Sequence, residues 1–187
     1  MKTLSKSVSL TATLALLLFT SACLYTEDPG PLRETERAYT VLDFDKLEIG
    51  NAFVIDVRRA DSFTVTARGD ERNIDDLEVF KDGTKLVIRF DDHQPRKHTT
   101  YIDITMPELK GVNFSGASNA EINGFNTDGE ADIRLSGASI AHLNMDAGEL
   151  KVSLSGASNL TVRGEGTALK CRPLWCVCAQ GIRVCSE

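Results

Sequence analysis

The string Ser-Gly-Ala-Ser occurs three times in the second half of this chain, at Ser115-Gly116-Ala117-Ser118, Ser136-Gly137-Ala138-Ser139 and Ser155-Gly156-Ala157-Ser158, each time directly after a large apolar residue, Phe114, Leu135 or Leu154. The first serines of successive copies are 21 and 19 residues apart. Identical tetrapeptides at so even a spacing demand a stacked-repeat reading before any other. Apolar and polar residues alternate on both sides of the motif, as in Leu150-Lys151-Val152-Ser153-Leu154 and Leu160-Thr161-Val162, and this half carries no 3.6-residue apolar stripe.

Each repeat therefore reads as strand, tight corner, strand. About 20 residues at about 3.3 Å apiece suffice for one turn of a narrow coil, and neighbouring coils then stack at about 4.8 Å. The expected fold is all-β: a single-stranded parallel β-helix of 19–21 residues per rung, with Phe114, Leu135 and Leu154 layered inside. Gly and Ala suit a corner where a larger side chain would strike the rung beside it. A serine next to glycine also invites a nucleophile reading, but the strand-to-helix frame G-x-S-x-G is missing. A catalytic group is needed once, whereas a structural ladder repeats.

The first half continues the β pattern less regularly. Leu47-Glu48-Ile49, Phe53 to Val57, Phe63 to Ala67, Leu77 to Phe80 and Leu86 to Phe90 are strand candidates, and Lys81-Asp82-Gly83-Thr84 is a hairpin turn between the last two. A short helical turn fits Asp70 to Asp76. This half is expected to cap the N-terminal end of the solenoid, since repeat folds need an atypical terminal unit.

At the N-terminus, Lys2 and Lys6 precede an apolar run from Leu10 to Phe19 and then Thr20-Ser21-Ala22-Cys23. That is the layout of a secretory signal peptide, and the run is short of the roughly 20 residues a membrane-spanning helix needs. Its last four residues resemble the bacterial lipobox, with Thr20 where Leu is usual, so residues 1–22 are expected to be removed and Cys23 to carry lipid. Leu24, rather than Asp, follows the cysteine, which points to the outer membrane of a Gram-negative cell. Residues 23–40, polar and without periodicity, read as a flexible tether to a domain at 41–170. Loss of residues 1–22 from 187 leaves 165, about one domain, and loss of Lys2 and Lys6 takes the formal charge from −6 to −8. So acidic a chain, with no Lys/Arg cluster, is not expected to bind nucleic acid.

Three further stretches carry a resemblance to a known family. Phe44 to Val57 (FDKLEIGNAFVIDV), Asp82 to Ile88 (DGTKLVI) and Tyr101 to Ala120 (YIDITMPELKGVNFSGASNA), followed by the later Ser-Gly-Ala-Ser copies, are similar to the putative auto-transporter adhesin, head GIN domain family over roughly Val41 to Lys170. The resemblance implies a right-handed parallel β-helix in a secreted or lipid-anchored envelope protein, with adhesion as the suggested role. It brings no catalytic residues.

From Cys171 the composition changes: CRPLWCVCAQGIRVCSE holds four of the five cysteines and the only tryptophan. The spacing C-x4-C-x-C-x6-C matches no common zinc pattern. Read one base later, Leu174 to Cys178 can encode Ser-Gly-Ala-Ser beginning 19 residues after Ser155, the step of the preceding repeat. Residues 171–187 are therefore expected to be a frameshifted, disordered tail. Resequencing the locus tests this: a shifted frame without further repeats overturns it.

Other candidates are weaker. Arg68-Gly69-Asp70 spells an integrin-type tripeptide where a turn is plausible, and Asp91-Asp92-His93 with His98 forms a His/carboxylate cluster in a polar stretch. Neither is expected to be a real ligand or metal site, and no metal or cofactor is implied. The expected function is a non-enzymatic envelope lipoprotein that contacts the membrane through its lipid and binds a surface protein or glycan. The alternatives are a polysaccharide-active enzyme, for which Arg134, His142 and Lys151 on successive repeats could align, and a structural or sensory envelope protein without adhesion.

Overall fold

Apolar residues at every second position, as in Phe53, Ile55 and Val57 or Ile102, Ile104 and Met106, give strands with one face buried and one wet. The computed structural model of the chain describes residues 30–91, 96–172 and 183–184. The described elements lie in one unit, Pro31–Glu187. In order they are β1 (Glu34–Tyr39), β2 (Lys46–Ile49), β3 (Phe53–Arg59), β4 (Thr64–Asp70), α1 (Glu71–Asp75), β5 (Leu77–Asp82), β6 (Lys85–Phe90), β7 (Thr100–Met106), β8 (Gly111–Phe114), β9 (Asn119–Leu135), β10 (Ile140–Leu154), β11 (Asn159–Arg163), β12 (Glu165–Arg172) and β13 (Arg183–Val184). Among the described residues no helix is long and apolar enough to cross a membrane.

The strands form one 13-stranded mixed sheet, nearly closed and barrel-like. The repeats pair in parallel and in register. Asn119 lies beside Ile140 and Ile140 beside Asn159, offsets equal to those of the serines, and the same holds for Phe114, Leu135 and Leu154. Long strands β9 and β10 each contribute to two stretches of the sheet. Their first halves continue β7 and β3, and their last halves continue β6, β2 and β8. Inward side chains from both stretches, among them Ile55, Ile122, Leu143, Leu47, Ile133 and Val152, make one core.

The first half differs from the expected cap. Strands β2 and β3 lie inside the sheet, paired in parallel with β8 and β9, so Leu47 to Val57 is itself a strand–corner–strand unit. Its corner is Gly50-Asn51-Ala52, and Asn51 takes the positive φ, 66°, that glycine takes at the later corners. Asparagine tolerates that conformation better than most residues, and its Oδ1 accepts the Phe90 amide at 3.0 Å. Asn51→Ala, which removes the acceptor and the short amide side chain that eases positive φ, is expected to cost about 2 kcal/mol in urea denaturation.

Antiparallel pairs make the sheet mixed rather than a uniform parallel coil: β1 with β4, β4 with β7, and β5 with β6. The β5–β6 hairpin closes through Gly83-Thr84, with Gly83 at φ 62°, as the turn residues predict. Strand β1 corrects the tether boundary. Residues 34–39 were expected to be flexible, but each pairs with a residue of β4. Likewise Cys171 and Arg172 end β12, and β13 pairs with Glu165 and Gly166, so these parts of the expected tail are strand. The rest of 171–187, residues 1–22 and Cys23 lie outside the described residues.

Candidate binding surface

The corners are built by close approach. At Gly116, Gly137 and Gly156, φ is 82°, 73° and 71°, and a Cβ would come within 2.3, 2.4 and 2.5 Å of the carbonyl oxygens of Asn51, Gly116 and Gly137. Those same oxygens accept the amides of Ala117, Ala138 and Ala157 at 3.0, 2.7 and 2.7 Å. The fourth-position serines turn inward. Ser118 and Ser139 are buried, and the hydroxyls of Ser118, Ser139 and Ser158 donate to the carbonyls of Ser115, Ser136 and Ser155 at 3.2, 2.9 and 2.8 Å. Ser136 and Ser155 donate to Phe114 and Leu135 at 3.4 and 3.5 Å. With their protons committed to backbone carbonyls, these five hydroxyls lack the adjacent base that activates a nucleophile.

The tripeptide Arg68-Gly69-Asp70 forms no turn. It ends β4, with Asp70 buried as the N-cap of α1. The Asp70 carboxylate accepts the backbone amides of Arg33 and Arg72 at 3.0 and 3.1 Å and the Arg72 guanidinium at 2.6 and 2.7 Å. Arg68 bonds Glu34 and lies over the Tyr101 ring. Asp92 and His93 lie outside the described residues. His98 Nε2 is 3.9 Å from Asp70 Oδ2, and no described group of three His, Cys, Asp or Glu residues is placed to hold a metal.

Arg134, Lys151 and His142 do not meet. Arg134 and Lys151 belong to the stretch β2–β8–β9–β10–β12, whereas His142 pairs with Glu121 and Thr161 in the other. On the first stretch Gly111 leaves a notch between Lys46 and Asp132, which opens a groove of about 420 Å³ lined also by Glu48, Lys85, Lys110 and Arg134. Its charges are mostly satisfied internally. Lys85 bonds Glu48, Lys110 bonds Asp45 and Glu108, and Arg134 bonds Asp132 at 2.6 Å. Beyond the groove Lys151 pairs with Glu130 and Lys170 with Glu149. The carboxylates of Glu48, Glu108 and Glu130 hold the ammonium groups of Lys85, Lys110 and Lys151 above the ordinary lysine range.

The other stretch is different. Across β3, β9, β10 and β11 run two outward rows, Asp56–Glu121–His142–Thr161 and Arg58–Asn123–Asn144–Arg163. A depression of about 290 Å³ is lined by Glu121, Asn123, His142, Asn144, Thr161 and Arg163. None of these six side chains bonds another group among the described residues, although Arg58 at the row's end is tied to Asp56 and Asp103. Sequence reasoning singled out only His142 here. The missed signal was the repeat step itself: 21 and then 19 residues carry Asn123 to Asn144 to Arg163, and Glu121 to His142 to Thr161.

These features define a repeat-built, all-β chain whose polar groups lie in rows across parallel strands. The chain belongs to the putative auto-transporter adhesin, head GIN domain family, whose model matches residues 43–172. Among solved structures it is similar to a putative adhesin of Parabacteroides distasonis (TM-score 0.69, 19% identity, 75% of this chain and 61% of that one). It is also similar to a putative adhesin of Parabacteroides merdae (0.67, 18%, 73% and 59%) and to a putative lipid binding protein of P. distasonis (0.57, 16%, 74% and 74%). At these identities the likeness is one of fold, and the chain spans about three fifths of the length of the two adhesins. No curated protein matches it.

Proposed function

We propose that this chain is a lipid-anchored envelope protein that binds a surface ligand and has no catalytic activity. The observation that carries the reading is the two rows of polar side chains from Glu121 to Arg163, left without partners among the described residues while the other stretch pairs most of its charges. A family and two structural relatives described as putative adhesins support it. The serine corners are structural on this reading, and the repeat half winds as a right-handed parallel β-helix that holds the polar rows in register. Cys23 carries the lipid and Leu24 directs the protein to the outer membrane.

Two experiments test the parts separately. Cells grown with an alkyne fatty acid are expected to label the wild-type chain and not Cys23→Ser; equal labelling removes the lipid anchor. A strain lacking the gene is expected to lose attachment to surfaces or to other cells. Unchanged attachment sinks the adhesive role, whatever the labelling shows.

A further inference from the structure

Resting on the binding role proposed above, we infer that the depression on β9, β10 and β11 is a subsite for a neutral, hydroxyl-rich oligosaccharide lying across the strands. Its lining offers both halves of the hydrogen-bonding chemistry that sugar hydroxyls use. Asn123 and Asn144 each supply a carbonyl acceptor and an NH2 donor, Glu121 is an acceptor, Arg163 and the His142 ring N–H are donors, and the Thr161 hydroxyl can act as either. All six are free of intramolecular bonds among the described residues, so a ligand displaces only water.

Charge complementarity narrows the ligand. The single carboxylate, Glu121, and the single guanidinium, Arg163, offset one another in the lining, and Arg58 beside it is outnumbered by Asp56 and Asp103. A polyanion finds no cationic patch here. Acyl chains need an apolar lining, whereas this one is dominated by polar side chains. A protein partner needs roughly 800 Å² of surface with an apolar centre. Of the exposed large apolar residues on this stretch, Val54 and Tyr101 are neighbours across β3 and β7, a pair too small for such a centre, and Asn119 separates them from Ile140. Ile140, 44% exposed and two positions before His142 on the same face, supplies the apolar contact that the C–H face of a sugar ring takes. Neighbouring strands at about 4.8 Å repeat the amides at a spacing comparable with one ring of an extended glycan.

The test is binding of the purified chain to immobilised hexasaccharides of glucose, mannose and N-acetylglucosamine, with hexuronic acid oligomers as the anionic comparison. At least one neutral glycan is expected to bind. Asn123→Ala with Asn144→Ala is expected to weaken it roughly tenfold or more with the thermal midpoint preserved, while Arg134→Ala on the ion-paired stretch leaves it unchanged. Thr161→Tyr, which fills the depression without removing an internal bond, must weaken binding as well, and it decides the matter if the double variant does not fold. Absence of binding to every neutral glycan, binding to uronic acid oligomers alone, or indifference to Thr161→Tyr overturns the inference. In cells the two proposals separate: attachment lost with the gene but retained with Thr161→Tyr leaves the adhesive role standing and removes this subsite from it.

Discussion

Gly137→Ala is expected to destabilise the domain by about 3–5 kcal/mol. Two causes add. The backbone holds φ 73°, where L-residues are strained, and the new Cβ would be 2.4 Å from the Gly116 carbonyl oxygen. That oxygen cannot swing aside freely, because it accepts the Ala138 amide at 2.7 Å. Relief would require parting two repeats, which also strains the core contact of Phe114 with Leu135. Gly83→Ala is the control that isolates the steric part. Gly83 has φ 62°, but a Cβ added there would meet nothing within 4 Å, so its cost is the conformational penalty alone, about 1–2 kcal/mol. Chemical denaturation of both variants measures the difference, and equal costs would mean that the corners are not in contact.

The second large effect is expected at Asp70. Its carboxylate is 1% exposed and gathers two backbone amides and a guanidinium. Asp70→Ala takes that acceptor from the Arg33 and Arg72 amides and a buried carboxylate from the Arg72 guanidinium, at about 2–4 kcal/mol. The Arg72 side chain hydrogen bond, opposed by burial but joined by the amides, holds the carboxyl far below the usual carboxylate range. A depressed folded pKa means that the unfolded chain takes up the proton first. The stabilisation is therefore complete above about pH 5 and drains away as pH falls through the unfolded value of about 4 toward the folded value. Urea midpoints between pH 7 and pH 3 should fall more steeply for the wild type than for Asp70→Ala. Parallel slopes would show that another group governs acid sensitivity.

How much of this was legible in the sequence follows from where the information lies. The corners and their layered apolar residues could be read because identical residues recur at a fixed step. The unit at Leu47 to Val57 was missed because asparagine stands for glycine at Asn51 and glycine for serine at Gly50, although the apolar residues around them, Ile49, Phe53 and Ile55, keep the pattern. Strand β1 was hidden for a different reason. Its side chains are exposed or half-buried throughout, so an edge strand with no buried row looks like a tether. Antiparallel pairing of β1, β4 and β7 joins residues 26 to 41 positions apart, and nothing in local spacing fixes that register. The Asp70 tripeptide looked like a turn because glycine and aspartate favour turns, and only the three-dimensional approach of Arg33 and Arg72 shows the carboxylate to be enclosed. The polar rows were within reach: the repeat step, applied to Asn123 as it was to Ser115, finds them.

The clasp at Asp70 also sets where the fold meets mechanical load. Tension transmitted along the chain from the N-terminal side arrives at Arg33, whose amide is held by Asp70 and whose carbonyl accepts the Glu71 amide at 2.8 Å. Behind it, six residue pairs join β1 to β4. A pull along β1 shears these pairs together, whereas a pull away from the sheet opens them one at a time from Glu34. The Arg33–Asp70–Arg72 cluster, with the Pro31 carbonyl that also accepts from Arg72, is strained in either direction before the β1–β4 pairs. It therefore works as the fold's strain relief, holding the edge strand against a tug on that end before the β1–β4 pairs part.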